Sequence, residues 1–168
     1  MDPTRKGTIA FGILLIAFGL IFLLFAVIPG LYIGQTWPLI FYLIAAAFYL
    51  PYFIWPEGRK GLAALFIPGS IFLSLGLIFT YNVLTQDWVS WAYAWLLIVA
   101  GVGLGLVLAS HFGDWGRHVI WVGIWMLAIA TGVFAFFAAL FGGPVLKVFG
   151  AVLIMGVGVL LLLRALRK

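Results

Sequence analysis

GILLIAFGLIF at Gly12–Phe22 and GSIFLSLGLIF at Gly69–Phe79 are the two stretches that decide the fold of this chain. Each contains two glycines seven residues apart, ends in Gly-Leu-Ile-Phe and lies within a long apolar run. Seven residues are almost two turns of an α-helix, so both glycines of a stretch lie on one helix face. A face without side chains lets another backbone come close, as happens between membrane helices. We therefore predict that four glycines lie at close helix–helix contacts: Gly12, Gly19, Gly69 and Gly76.

The composition is typical of an integral membrane protein. Of the 168 residues, 67% are hydrophobic and 8% are charged, whereas soluble domains carry roughly 25% charged residues. The formal net charge is +5, but the nine Lys and Arg residues are scattered in ones and twos, which argues against a nucleic-acid-binding face. The chain has no cysteine, which excludes thiol catalysis, thiolate metal sites and disulfides. We expect the partners to be membrane lipids and other membrane proteins or a second copy, not nucleic acid.

Six apolar runs predict six transmembrane helices. A span needs about 20 apolar residues to cross the roughly 30 Å hydrocarbon core, and turns rich in Pro, Gly and charged residues separate the runs. The first run is longer than the apolar core of a signal peptide, so we expect it to remain as a membrane helix. The predicted spans are Gly7–Ile28, Trp37–Trp55, Gly61–Asn82, Ser90–Ser110, Arg117–Leu140 and Val145–Leu163. The predicted fold class is an all-α integral membrane protein with one membrane domain over residues 1–168.

The six spans group into three helical-hairpin repeats, at about residues 7–60, 61–116 and 117–168. The first two repeats match well and the third is weaker. Each repeat has two spans, so successive repeats enter the membrane in the same direction, unlike the inverted repeats of many secondary transporters. The matching positions are Gly12 and Gly69, Trp37 and Trp95, and Gly101-Val-Gly103 and Gly156-Val-Gly158.

The distribution of basic residues predicts that both termini are cytoplasmic. Eight of the nine Lys and Arg residues fall at the termini and in the turns after the second and fourth spans, and only Lys147 falls on the other side. Basic segments stay on the cytoplasmic side of a membrane. We expect a multi-pass protein of the bacterial inner membrane. The eight residues are Arg5, Lys6, Arg59, Lys60, Arg117, Arg164, Arg167 and Lys168.

The spans offer little chemistry. No ionisable residue lies in the middle of a span, although transport and proton relay usually require one. We expect the few polar side chains within spans to bond backbone groups or neighbouring helices. We therefore predict no catalytic residue and no metal site, and hence no enzyme. The polar residues are Ser70, Ser74, Thr80, Asn82 and Thr131.

His111 and His118 form the one chemically suggestive pair, with Asp114 between them. Two imidazoles could ligate a metal, a haem or a chlorophyll, or assist a quinone site. Histidine is also common at membrane interfaces, and a turn containing glycines fixes no ligand geometry. The two histidines are therefore weak candidates for cofactor binding, and we predict no cofactor.

The fourth predicted span contains a motif for close helix packing. Gly101 and Gly105 form a GxxxG motif with an additional glycine between them, and this motif could either contact a partner protein or pack within the monomer. We favour packing within the monomer.

Seven of the eight tryptophans fall near the ends of spans, as in the aromatic belt of membrane proteins, and only Trp125 lies deeper.

Lys6–Ile44 carries a family resemblance. Its basic start, GILLIAFGLIFLL, and the Trp37-Pro38-Leu39-Ile40 that opens the next span resemble small bacterial membrane proteins that share the transmembrane region of the envelope-stress regulators LiaI and LiaF. The second hairpin is similar, with GSIFLSLGLIF and Trp95-Leu96-Leu97-Ile98, so the resemblance covers about two thirds of the chain. It implies helices that anchor a protein communicating envelope stress, often with a soluble domain after them.

The leading interpretation is a non-enzymatic membrane protein that acts as a scaffold, an accessory subunit of a membrane complex or an envelope-stress-associated partner. Two alternatives stay open: a carrier or channel for a small neutral or lipid-like molecule, and a cofactor- or pigment-binding membrane subunit. A continuous polar cavity around Ser70, Ser74 and Thr131 would favour the carrier. A closed core with a flat apolar face would favour the partner.

Overall fold

A computed structural model describes residues 33–166 and, before them, residues 8, 9, 12, 15, 16, 19, 20 and 23, all eight of which are helical. Throughout this described part the chain is all-helical and contains no β-strand, which confirms the predicted all-α class. Most of the first predicted span lies outside the described residues. So do the four terminal basic residues used for the topology: Arg5, Lys6, Arg167 and Lys168.

Five long helices form the body of the described structure. They are α1 (Leu39–Ile54), α2 (Phe66–Thr85), α3 (Leu96–Gly113), α4 (Arg117–Phe141) and α5 (Pro144–Leu166). Short helical segments join them, and some of these run directly into the next long helix. The α-helical segments are Ile33–Thr36, Arg59–Leu62 and Trp91–Ala94, and the 3-10 segments are Pro56–Gly58, Ala63–Leu65 and Trp88–Ser90.

The 3-10 turn Ala63–Leu65 lies just before Pro68, where the sequence favours a bend. Proline has no N–H, so the carbonyl of Ala64, four residues earlier, cannot form its usual helical bond. The chain accommodates this by tightening into a 3-10 turn at that carbonyl. The whole of Pro56–Thr85 is one helical stretch of 30 residues.

Two tight turns end helices in the left-handed conformation. Gln86 follows α2 with φ 57°, and Asp114 follows α3 with the same φ. A residue in this region stops a helix and turns the chain sharply. After Asp114, Gly116 has φ 97°, which suits glycine, and leads into α4.

The long helices pack mainly on their neighbours in the chain. The central helix, α3, lies between α2 and α4, while α1 packs on α2 and α5 packs on α4. We call the end formed by residues 56–62 and 113–118 the Lys60 end, and the end formed by residues 82–91 and 141–146 the Asn82 end. One small core lies towards the Lys60 end around Ala63, Phe66 and Ala109. A second core lies towards the Asn82 end and contains Tyr93, Phe134, Ala138 and Leu146.

Three helical stretches of the described chain are long and apolar enough to cross a membrane: Pro56–Thr85, Leu96–Gly113 and Arg117–Phe141. The helix α1 and the Pro144–Val159 part of α5 are apolar as well. Large apolar side chains are exposed along this surface, including Trp125 and Met155. An apolar exterior of this kind suits a lipid environment rather than water.

Candidate functional site

The glycines of α3 bring its backbone against α2. A Cβ atom built on Gly105 would lie 2.5 Å from the Cα atom of Ile67 and 2.9 Å from the carbonyl oxygen of Phe66. One built on Gly101 would lie 2.8 Å from the carbonyl oxygen of Ser70 and would overlap the hydroxyl of Ser74. The GxxxG motif therefore faces a helix of the same chain.

The middle glycine of the motif, Gly103, faces the opposite neighbour. A Cβ atom there would lie 2.6 Å from the backbone nitrogen of Leu127 and 2.8 Å from the carbonyl oxygen of Gly123. Gly123 of α4 reciprocates, since its own Cβ would lie 2.7 Å from the carbonyl oxygen of Gly103. The α3 helix thus uses alternate glycines to approach two helices on two sides.

The paired glycines of α2 receive tyrosine rings from α1. A Cβ atom at Gly69 would lie 2.5 Å from the ring of Tyr49, and one at Gly76 would lie 3.0 Å from the ring of Tyr42. The two tyrosines, like the two glycines, are seven residues apart. Because α1 and α2 are antiparallel, each tyrosine ring therefore packs on one of the two glycines. The expected close contact is present at both positions, but an aromatic ring, and not a second backbone, fills the space.

Each of these rings also places its hydroxyl on a polar group of α2. The Tyr49 hydroxyl lies 3.0 Å from Oγ of Ser70, and the Tyr42 hydroxyl lies 3.1 Å from Oγ1 of Thr80. Ser70 is fully buried. Hydroxyl pairs of this kind join membrane helices by hydrogen bonds.

The pair Tyr49 and Ser70 should show measurable coupling. In a double-mutant cycle of Tyr49→Phe and Ser70→Ala, we expect an interaction free energy of about 1 kcal/mol, since hydrogen bonds between membrane helices average about 0.6 and reach about 1.7 kcal/mol. Unfolding in mixed detergent micelles measures each variant. Tyr49→Phe combined with Thr80→Val is the matched control, because Thr80 bonds Tyr42, and a coupling equal to the first would contradict the pairing.

The other two glycines of the opening stretches have open surroundings. No heavy atom within the described residues lies within 4 Å of a Cβ built on Gly12 or Gly19. Gly19 is exposed and Gly12 is half-buried. The structure therefore does not bring these two glycines to the described helices, and the remainder of their own span lies outside the described residues.

The two histidines lie on different helices at the Lys60 end. His111 is exposed near the end of α3, where its ring meets that of Phe112 edge to face, and His118 is in the first turn of α4. In the part of the chain that the structure describes, no group of three or more His, Cys, Asp or Glu side chains could hold a metal ion. Asp114, which lies between the histidines in sequence, instead forms an exposed ion pair with Lys60 at 3.5 Å.

The three polar residues that were to mark a carrier do not share a cavity among the described helices. Ser70 is bonded to Tyr49, and Ser74 is packed against Gly101. Thr131 lies on α4 and lines a cleft of about 440 Å³ between α4 and α5. The residues around it are apolar or glycine: Leu127, Ala128, Gly132, Ala135, Leu153, Ile154 and Val157.

An apolar groove follows the surface between α3 and α4. It consists of two adjoining cavities of about 700 and 680 Å³ that share Trp95, Leu96 and Val133. The only ionisable side chain lining the first cavity is His118, and Phe141 lines the far end of the second. We did not predict this groove from the sequence. A signal was present, because His118, Trp121 and Trp125 recur at helical spacing on one face of α4.

A buried polar cluster closes the Asn82 end. Asn82 is fully buried, and its amide oxygen accepts a hydrogen bond from the indole N–H of Trp91 at 2.8 Å, because that indole can only donate. The amide nitrogen then donates to Oγ of Ser90 and to the carbonyl oxygen of Asp87, each at 2.8 Å. The Ser90 hydroxyl also donates to that carbonyl, at 2.7 Å. One side chain of α2 thereby forms hydrogen bonds with three residues of the following connection, Asp87, Ser90 and Trp91.

The same end also joins α4 and α5 to this turn. The Tyr81 hydroxyl donates to Oδ2 of Asp87 at 3.1 Å, and Gly143 lies so near that its Cβ would be 3.2 Å from that carboxylate oxygen. The hydroxyl of Tyr93 is buried close by and has no hydrogen-bond partner within the described residues. These contacts fix the mutual position of two connections at one end of the helices.

Comparison with known proteins adds no relative. No protein-family model, no curated protein and no solved structure matches the chain.

Proposed function

We propose that this chain is a non-enzymatic, multi-pass membrane protein that acts as a scaffold, an accessory subunit of a membrane complex or an envelope-stress-associated partner. The proposal depends on one observation, the exposure of α5. Within α5, Leu146 and Gly150 are buried, but from residue 151 to residue 166 every described side chain except Leu153 is exposed. A helix that leaves most of its apolar surface uncovered is available for contact with another membrane helix.

The cleft between α4 and α5 supports a helix as the partner. Gly132 on α4 and Gly156 and Gly158 on α5 have no neighbour within 4 Å of a Cβ position in the described structure. Small residues at open positions are what a transmembrane helix needs for close approach. By contrast, α2 and α4 already occupy the space beside Gly101, Gly103 and Gly105 of α3. Gly132 lines the cleft, and the two open glycines of α5 lie on the exposed part of that helix.

The exposed surface of α5 can be tested by photocrosslinking in native membranes. With no native cysteine in the chain, Met155→Cys carries a single benzophenone, and we expect one discrete adduct with a second copy or with another membrane protein. Adding Gly132→Leu, which fills the cleft, should remove the adduct. Phe136→Cys is the control, because Phe136 is exposed on α4 outside the cleft. Equal adducts at both positions would count against the proposal.

We also propose that the five long helices and the first predicted span make six spans with both termini in the cytoplasm. The even number of spans and the excess of basic residues at the Lys60 end support this orientation. Cysteines placed at Gly58 and Thr85, both exposed, report the two ends. We expect an impermeant thiol reagent added to intact cells to label position 85 and not position 58. Labelling at 58 alone would reverse the orientation.

The alternative of a carrier for a neutral or lipid-like molecule receives less support. A carrier needs a path across the membrane, but Ser70 is buried in a contact with Tyr49 and the half-buried Ser74 packs against Gly101. The cavities that remain open are apolar and lie at the outer surface of the helices. Such cavities suit bound lipid or a partner helix better than a solute in transit.

A further inference from the structure

The first cavity of the groove between α3 and α4 has the length of one lipid leaflet. It extends along α4 from His118 to Val133, which is about 22 Å at the helical rise of 1.5 Å per residue. Half of a bilayer including its head groups is also about 20–22 Å thick. The cavity volume of about 700 Å³ falls within the roughly 300–1,000 Å³ of small-molecule sites.

The walls of the groove suit an alkyl chain better than a helix. Trp95, Trp121 and Trp125 line the first cavity together with aliphatic side chains such as Ile129. Close helix–helix contacts in membranes use small residues that let backbones approach, whereas these bulky side chains keep another backbone away. A flexible chain can instead lie between the indoles and make apolar contact along its length.

The Lys60 end of the groove carries positive charge. His118 lines the groove and Arg117 precedes it, both exposed in the first turn of α4. Among the residues that the structure describes, no carboxylate pairs with either side chain, and the nearby Asp114 is paired with Lys60. The first turn of α4 also contains no acidic residue. An anionic head group placed here would meet a guanidinium and an imidazole N–H, both of which donate hydrogen bonds to phosphate oxygens.

We propose that this groove binds one anionic phospholipid, with an acyl chain along Trp121 and Trp125 and the phosphate at Arg117 and His118. The inference rests on the proposed membrane embedding but not on the proposed partner at α5. It assigns a role to the one tryptophan that lies deeper than the interface, because Trp125 forms the wall against which the chain lies. Both side chains proposed to hold the phosphate lie at the Lys60 end, where the first cavity begins.

The test is native mass spectrometry of the full chain in detergent with phosphatidylglycerol or phosphatidylcholine carrying the same acyl chains. We expect one retained phosphatidylglycerol in clear preference to phosphatidylcholine. Arg117→Gln should lower the ratio of the two lipids about five-fold, the effect of one basic residue near a lipid surface. Lys147→Gln is the matched control for charge, because Lys147 is exposed at the opposite end, and it should leave the ratio unchanged.

A second pair of variants tests the groove itself. Val122→Trp fills the first cavity from an exposed position and should reduce retention of both lipids, while Val152→Trp on α5 should not. Equal retention of the two lipids by the original chain, or retention unaffected by Val122→Trp, would overturn the inference. Either result with an intact crosslink at position 155 leaves the proposed function standing. A chain absent from the membrane fraction would instead defeat both proposals.

Discussion

Gly103→Ala is expected to lower the free energy of unfolding by about 3 kcal/mol, at the upper end of what an overpacked methyl group costs. The added carbon would lie 2.6 Å from a backbone nitrogen and 2.8 Å from a backbone carbonyl oxygen of α4. Neither atom belongs to a side chain that can rotate away, so α3 and α4 must separate along their contact. Because Gly123 faces Gly103 across the same contact, the separation also removes packing on the α4 side. Unfolding in mixed micelles, followed by circular dichroism, measures the loss.

Gly132→Ala and Gly156→Ala are the matched controls for this prediction. Both glycines lie within long helices, and in the described structure a Cβ at either position meets nothing within 4 Å. Alanine is a better helix former than glycine by up to about 1 kcal/mol, so these variants should be neutral or slightly more stable. If Gly103→Ala matched the controls, the close approach of α3 to α4 would be wrong.

The helical class could be predicted from the sequence because a long apolar run leaves the backbone few ways to satisfy its polar groups. A long apolar run in a membrane must satisfy its own N–H and C=O groups, and a helix does this within one segment. The predicted starts at Trp37-Pro38, Arg117 and Val145 follow from the turn residues before them, and the described helices begin at or beside these positions. Element boundaries of this kind depend on neighbours in sequence, so the sequence is sufficient to predict them.

The neighbour that each residue meets could not be predicted, because it depends on which helices lie side by side. Gly101 and Gly103 look alike in sequence but face α2 and α4, respectively. The expectation that a backbone fills the space beside Gly69 overlooked Tyr49, although the matching seven-residue spacing of tyrosines and glycines was visible. The spacing shows that tyrosines and glycines each recur on one helix face. Only the packed structure shows that these two faces contact each other.

The groove between α3 and α4 could not be predicted from the sequence either. We predicted from the sequence that the tryptophans form an aromatic belt, which concerns their depth in a membrane and says nothing of their mutual contacts. Trp95 is far from Trp121 and Trp125 in sequence, and the antiparallel packing of α3 on α4 brings the three to one groove. A cavity is a property of two surfaces, so neither helix alone predicts it.

Asn82→Leu is expected to destabilise the chain by about 2–4 kcal/mol. Leucine has nearly the same size but removes all three hydrogen bonds of the amide at this fully buried position. The indole N–H of the half-buried Trp91 then loses its partner, and the Asp87 carbonyl keeps one donor. Each buried polar group left without its partner costs about 1–3 kcal/mol. The turn after α2 should also open, so a protease added to reconstituted vesicles should cut at residues 85–90 at a concentration that leaves the original chain intact.

Ser90→Ala and Leu84→Ala separate the network from the general effect of substitution at this end. Ser90→Ala removes one donor to the Asp87 carbonyl and one acceptor of the Asn82 amide, but the Asn82–Trp91 bond survives, so we expect about 1 kcal/mol. Leu84 is 76% exposed, and its truncation should change stability by less than about 0.5 kcal/mol. The order Asn82→Leu, then Ser90→Ala, then Leu84→Ala follows from the number of buried bonds lost. An Asn82→Leu chain as stable as Leu84→Ala would show that Asn82 does not hold the turn.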